Sequence, residues 1–453
     1  MHIRYSLAAL TGLAVLAGTP GRAASQDPAR IAFETYSLPN GLKVILAPDR
    51  SSQVVAVDVW YDVGSRNEVR GRTGFAHLFE HMMFQGSANV KKAEHFQLVE
   101  RAGGDMNGST SEDRTNYYEA LPSNRLNLGL WLEADRMRSL AITDSSFTNQ
   151  REAVKEERRL RVDNQPYYGA IFEGMYALAD SATCFPYAHS VIGSMDDLNA
   201  ARVPDVQAFF KLYYAPNNAI LTVVGDFDTP ATKALIEQYF GTIPRGSDPP
   251  PLAPCAARFG PGTIRRTWPD AKANLPGVLV AYRVPEYKSD DAPAIELLTT
   301  ILGQGESSRI NKSVVREQKL AQGAFVLTNP FGPRRGAGVL MALGIANQGV
   351  SPESLEKGLS EEFARVARDG VSEAELTKAK NSYRTQLITQ QQRAMAKAEA
   401  LQTASLFLGS PEAVNTNWRR FLAVTVADIK RIGAAYFRPE NALIILITPG
   451  AGQ

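Results

Sequence analysis

Apolar and polar positions alternate along residues 31–66, first in YSLPNGLKVILAPD and again in QVVAVDVWYDVGS. Period-two alternation marks half-buried strands, and Asn40-Gly41 between two such runs marks a hairpin turn. The pattern changes over residues 74–86, GFAHLFEHMMFQG. Read as a helix, Phe75, Leu78, Phe79, Met82, Met83 and Phe84 cover nearly its whole circumference, and His77, Glu80 and His81 share one narrow face. A helix apolar nearly all round belongs in a core. Thr73 stands where it would cap this helix and Gly86 where it would stop it. Helical periodicity returns at 93–102, 125–140, 146–160 and 203–214, with an alternating strand pair at 104–122 and an apolar strand at 219–224.

Residues 247–261, SDPPPLAPCAARFGP, are Pro-rich without periodicity and read as an extended linker. Beyond it the pattern restarts. A strand is expected at 277–283, helices at 291–302 and 353–367, a long Gln/Ala-rich helix at 373–408, a helix at 427–436 and a last strand at 442–447. Shifted by 223, Val203, Asp205, Tyr213, Pro216, Asn218 and Ala219 match Val426, Asp428, Tyr436, Pro439, Asn441 and Ala442. Identities this dense at one fixed offset point to an internal duplication. Shifted by 219, Gln85-Gly86 meets Gln304-Gly305, and Glu296, Thr299 and Thr300 replace His77, Glu80 and His81. Chemistry on the apolar helix is therefore expected in the first copy, 26–246, and not in the second, 262–453.

Composition narrows the setting. The chain has 453 residues, 44% hydrophobic and 21% charged, ordinary for globular domains. Its net charge of +2, from 49 basic and 47 acidic residues, gives no footprint for nucleic acid or an acidic membrane surface. Residues 1–25 carry a short basic start, a small apolar core and small residues at 21–25, which together read as a cleavable signal peptide. No later run is long and apolar enough to span a bilayer, so a periplasmic or secreted protein is expected. Export permits a disulfide between the two cysteines, Cys184 and Cys255, but the sequence does not place them within reach of each other.

Burying two imidazoles and a carboxylate without partners costs roughly 1–3 kcal/mol for each group, and one metal ion would satisfy all three. Histidines at i and i+4 are a good bite for Zn²⁺, and a carboxylate between them can serve as general base. H-x-x-E-H is the inverted order of the zincin motif. A catalytic zinc needs a third protein ligand. His95, on a short polar helix, is expected to be solvated, and His189 lies in a loop. Glu152, Glu156 and Glu157 share the helix 146–160, where Glu156 and Glu157 point about 100° apart, so at most one faces a metal. Spacing alone leaves that choice open.

The stretches GFAHLFEHMMFQGS, AGGDMNGSTSEDRTNYYEALP, QREAVKEERR and ILGQGESSRI carry a resemblance over essentially the whole chain. The chain resembles the pitrilysin/insulysin-type zinc peptidases, the inverzincin group, and most of all their short bacterial and mitochondrial-processing-type members. The resemblance implies an α+β fold: two homologous α/β-sandwich halves, each a mostly antiparallel sheet packed by helices, forming a clam-shell chamber. It implies an endopeptidase with one Zn²⁺ per chain, held by His77, His81 and a glutamate in an R-x-x-V-x-x-E helix. That motif reads Arg151, Val154 and Glu157 here, so Glu157 is the implied third ligand and Glu80 the implied general base. Asn107, Gly108, Ser109 and Thr110 correspond to the edge strand that a peptide substrate joins as an extra strand. Gly108 and Ser109 stand where relatives commonly carry Ala and a larger apolar residue, which implies a roomier pocket nearby.

Two departures shape the expectation. A glutamate seven residues before the third ligand often supports the metal; here it is Gln150, an amide that can still hydrogen-bond. Members that act alone carry an Arg and a Tyr seven apart in the second half. The stretch VVREQKLAQGAF offers Arg316, but Gln322 where the tyrosine is expected, one residue short. In paired members one subunit brings zinc and the other the Arg/Tyr pair. This chain is thus expected to be the zinc-bearing subunit of a heterodimer acting on peptide substrates, the alternative being a catalytically silent scaffold or core-type subunit, or a peptide-binding module, of the same fold.

Overall fold

The structure, a computed structural model, describes residues 30–179, 184–252, 255 and 262–450. The expected signal peptide and part of the expected linker lie outside these residues. Strands β1 (Glu34–Ser37), β2 (Lys43–Pro48), β3 (Val54–Tyr61), β4 (Asp105–Thr110), β5 (Thr115–Pro122) and β6 (Ala219–Gly225) form one sheet in the order β1-β2-β6-β3-β5-β4. Strands β7 (Ile264–Asp270), β8 (Gly277–Val284), β9 (Ala321–Thr328), β10 (Gly338–Ala346) and β11 (Ala442–Pro449) form a second, ordered β7-β11-β8-β10-β9. Apart from β1, the two sheets repeat each other. The pairs β2–β6 and β7–β11 are parallel and the remaining neighbours antiparallel. In each, the last edge strand, β4 or β9, hangs on one neighbour.

The duplicated residues do the same work twice. Pro216 and Pro439 each open a single 3-10 turn leading into β6 or β11. Asn218 Nδ2 donates to the Tyr213 carbonyl at 2.8 Å, and Asn441 Nδ2 to the Tyr436 carbonyl at 2.7 Å. Both amides also reach across to the end of a neighbouring strand, at Asp62 O and Arg283 O. The Asn40-Gly41 turn joins β1 to β2 as expected, and buried Asn40 donates to the carbonyls of Phe240 and Ile243.

Helices α1 (Phe75–Met82), α2 (Glu94–Arg101), α3 (Leu126–Ser139), α4 (Asp144–Arg158), α5 (Tyr168–Phe172), α6 (Met195–Ala200), α7 (Val203–Tyr213) and α8 (Thr229–Phe240) belong to the first half. The second contains α9 (Ala292–Gly303), α10 (Pro352–Asp369), α11 (Glu373–Gln390), α12 (Ala394–Leu408), α13 (Trp418–Ala423) and α14 (Val426–Tyr436). One face of each sheet packs on its own helices. Val55, Val57 and Val59 of β3 meet Leu78, Phe79 and Met82 of α1 in one core, and Val280 and Tyr282 of β8 meet Leu298, Leu359 and Phe363 in the other.

The other face of each sheet is covered by the opposite half. Ala398 and Leu401 of α12 lie on Ile45, Ala56, Ile220 and Val224 of the first sheet, and buried Gln402 donates to the carbonyls of Asp58 and Ile220. In return Ala170, Ile171, Met175 and Leu178 lie on Leu279, Ala281, Met341 and Ile445 of the second sheet. The alternation of β3 therefore does not mark a solvated face: Asp58 and Trp60 are buried beneath the partner half. The expected single helix 373–408 is two helices broken at 391–393, and the break lets α12 cross to the other sheet. Cys184 and Cys255 form a disulfide with Cα atoms 5.2 Å apart, tying the first half to the inter-half segment. Among the described residues no helix is long and apolar enough to cross a membrane.

Candidate metal and peptide site

The face of α1 that carries His77, Glu80 and His81 looks onto α4 and the end of β4. Gly74 starts the helix at φ 86°, and a Cβ there would lie 2.6 Å from the Ile192 carbonyl, so glycine is needed on both counts. Thr73 is not the cap. Its N–H and hydroxyl donate to Asp197, and the first helical N–H groups are bound by the fully buried side chain of Glu68, from Gly74 N at 2.9 Å and Ala76 N at 2.8 Å. Glu68 is held in turn by His189 Nε2 at 3.1 Å. His189 is therefore no metal ligand. Its Nδ1 faces the Phe185 carbonyl at 2.9 Å, and hydrogen bonding with Glu68, working against burial, raises its pKa.

On α4, Gln150 and Glu157 are seven residues apart and share a face. Glu157 Oε2 lies 3.6 Å from His77 Nε2 and 3.1 Å from His81 Nε2. All three ligating atoms fall within 4.8 Å of one another. Gln150 Oε1 is 3.3 Å from His81 Nδ1, which leaves Nε2 to face the cluster. Arg161 Nη1 holds the other Glu157 oxygen at 3.1 Å. Glu152 and Glu156 instead point outward into ion pairs with Lys155 and Arg159. Tetrahedral coordination by bonds of about 2.0–2.2 Å places ligand atoms roughly 3.4 Å apart, so this donor set fits one zinc ion.

Electrostatics separate the members. Burial, with the neighbouring charges of His81 and Arg161, lowers His77 to about 4. His81 is half-buried, which opposes its charge, yet hydrogen bonding with Glu157 and the charge of Glu80 raise it. Glu157 drops to about 2: burial is overcome by its hydrogen bond from His81 and the charges of His77, His81 and Arg161. Glu80 is raised by burial, opposed by a 2.5 Å hydrogen bond from Thr110 Oγ1 and the charges of His81 and Arg114.

Asn107, Gly108, Ser109 and Thr110 lie on β4, an edge strand bordering an open cleft of about 980 Å³ that contains His77, Glu80, His81 and Glu157. Phe331 of the second half also borders this cleft. The space expected beside Gly108 is taken up by the rings of Phe84 and Tyr117, 3.2 and 3.1 Å from where a Cβ would stand. His95 is buried, not solvated, with Nε2 3.0 Å from Glu119. That cluster needs no metal, because Arg136 bonds both Glu119 and Glu133. Arg316 and Gln322 are exposed and do not border the cleft. Sequence reasoning missed Glu68 and Arg114, and weighed His189 only as a metal ligand. A carboxylate six residues ahead of the helix start matches no capping spacing, and the other two act only through tertiary contacts.

A duplicated α/β chain with a His-His-Glu cluster in its first half, and Glu296, Thr299 and Thr300 at the matching positions of α9 in its second, has the design of a two-half peptidase. Residues 43–177 match the family described as Insulinase (Peptidase family M16), and residues 201–383 match the Peptidase M16 inactive domain. The zinc protease PqqE of Helicobacter pylori is 30% identical over 98% of this chain and 99% of its own. A probable mitochondrial-processing peptidase subunit beta of Arabidopsis thaliana is 22% identical over 91% of this chain and 78% of its own. Among solved structures, a protease from Helicobacter pylori superposes with a TM-score of 0.86 at 29% identity, covering 93% of this chain and 100% of that one. The periplasmic protease PqqL of Escherichia coli does so at 0.74 and 20%, covering 94% of this chain and 48% of that one. The chain belongs to the M16 peptidase family, of the pitrilysin type.

Proposed function

We propose that this chain is a zinc-dependent endopeptidase of peptides or unfolded segments, and the zinc-bearing member of a heterodimer. The observation that carries the reading is the convergence of His77, His81 and Glu157 beside Glu80 at an exposed strand edge. His77, His81 and Glu157 would hold one zinc ion. Bound there, zinc supplies Lewis acidity for a carbonyl and a water. Glu80, a half-buried carboxylate with a raised pKa, takes the proton of the attacking water and passes it to the leaving amine. Thr110 holds Glu80 from the substrate side, and the peptide joins β4 as a further strand.

The partner is inferred from the second half. Gln322 stands where the tyrosine is expected and neither it nor Arg316 borders the cleft, so in this reading the Arg/Tyr pair of the second-half type comes from a homologous subunit. The basic start and short apolar core of residues 1–25 support a reaction in the periplasm or medium.

Metal analysis and peptide cleavage, with the chain alone and with an Arg/Tyr-bearing homologue, test the reading. One zinc per chain and cleavage only in the pair are expected. Zinc near zero removes the peptidase, and full activity alone removes the partner. Glu157→Gln should abolish zinc retention; unchanged occupancy would remove Glu157 from the ligand set.

A further inference from the structure

The hairpin that carries the edge strand turns at residues 111–114. Glu112 and Asp113, at its tip, are completely buried. Adjacent carboxylates cut off from water require cations and hydrogen-bond donors around them. One cation is local: Arg66 Nη1 lies 3.0 Å from Asp113. The other two come from the second half. Arg334 and Arg335 sit on the loop 329–337 between β9 and β10, and Arg334 is itself buried. The Arg334 guanidinium bonds Glu112. The Arg335 backbone N–H donates to Asp113 Oδ2 at 3.2 Å, and its guanidinium spans Asp113 and Asp62. Tyr187 and Tyr176 donate their hydroxyls to Asp113 and Glu112 at 2.8 and 3.1 Å. Three acids thus face three arginines in one closed cluster that joins the halves.

The same hairpin carries the working parts of the site. Thr110, next to the tip, holds Glu80. Arg114, at the other end of the turn, donates to the Ser109 carbonyl at 2.8 Å and to Asn116 at 2.9 Å, bracing the two strands. Any tilt of the tip moves the β4 edge and the Thr110–Glu80 contact together. The clamping loop also delivers Phe331, packed on Phe172 at 5.2 Å, to the cleft wall.

We propose that Arg334 and Arg335 are positioning residues for the reaction: the half without metal ligands fixes the substrate strand of the other half by clamping the β4–β5 tip. This rests on the reading that β4 receives the peptide and Glu80 is the base. Neither arginine touches substrate. Each acts through Glu112 or Asp113.

The test uses the zinc-loaded full chain with Arg334→Gln and Arg335→Gln, with Arg334→Lys as the conservative variant. Cleavage is assayed in whichever state, alone or paired, the wild type is active. Zinc content should stay at the wild-type level. Amide exchange over 105–114 should quicken about tenfold or more while that over 75–82 is unchanged. KM for an extended peptide should rise about tenfold, more than kcat falls, and Arg334→Lys should recover part of it. Wild-type exchange and KM in both Gln variants would overturn the proposal. If Arg334→Gln fails to fold, the Glu112→Gln/Arg334→Met/Arg335→Gln chain removes the side-chain contacts of the clamp without stranding Glu112. The same KM rise is expected of it, and an unchanged KM overturns the clamp. A zinc-loaded wild type that cleaves nothing would defeat the peptidase reading, while the exchange measurement would still decide the clamp.

Discussion

His77 and His81 stand one turn apart on one helix, yet only His81 faces both Glu157 and the Gln150 amide, so their pKa values move in opposite directions. Glu80 between them is not one of the three clustered donors; among the described residues its side chain is hydrogen-bonded by Thr110. Glu80→Gln should therefore leave zinc content at wild-type level while lowering kcat by about 10²–10⁴-fold, checked by metal analysis alongside peptide cleavage. A second carboxylate shows the residue scale in the other half. Glu296 occupies the place of His77, and burial pushes its carboxyl up to about 7. Its pKa is higher folded than unfolded, so its charge opposes folding increasingly as pH rises from about 4.5 through 7. Glu296→Gln should raise stability by on the order of 1–2 kcal/mol at pH 8 and leave it unchanged near pH 4, read from denaturant titrations at both values.

At the scale of elements, α1 is short and depends on its surroundings. No side chain adjoining the helix binds its first N–H groups; Glu68 supplies that cap from six residues upstream. Glu68→Gln keeps the shape but removes the charge from the helix N-terminus. It should cost about 1–2 kcal/mol in stability and speed zinc loss to a chelator, measured by denaturant titration and release kinetics. Periodicity located α1 by its nearly continuous apolar circumference and α4 by Phe147 and Val154, seven residues apart on its one buried face. It did not find β10, whose GVLMALGIA is almost wholly buried on both faces and therefore shows no alternation. It overran the break at 391–393, where neither Gly nor Pro marks the turn and only the need to reach the other sheet explains it.

The whole molecule is two halves that each complete the other. Neither sheet has a free broad face, since α12 covers one and residues 170–178 the other. The disulfide adds a covalent tie across a sequence separation of 71. Replacing Cys184 and Cys255 together by Ser should lower stability by about 2–4 kcal/mol, with a matching loss when the wild type is melted under reductant. A small effect in both would mean that the reciprocal packing alone holds the halves together.

The sequence by itself determined the parts whose chemistry is local. The i, i+4 histidines, the duplicated Tyr-x-x-Pro-x-Asn-Ala turn and the hairpin at Asn40-Gly41 all express contacts within a few residues, so their spacing is their geometry. Which glutamate faces the histidines, which side chain caps α1, and whether His95 meets water or Glu119 depended on elements far apart in the chain. Only the packing of α1 on α4, and of each half on the other's sheet, decided these, because burial and pairing are properties of the assembled fold.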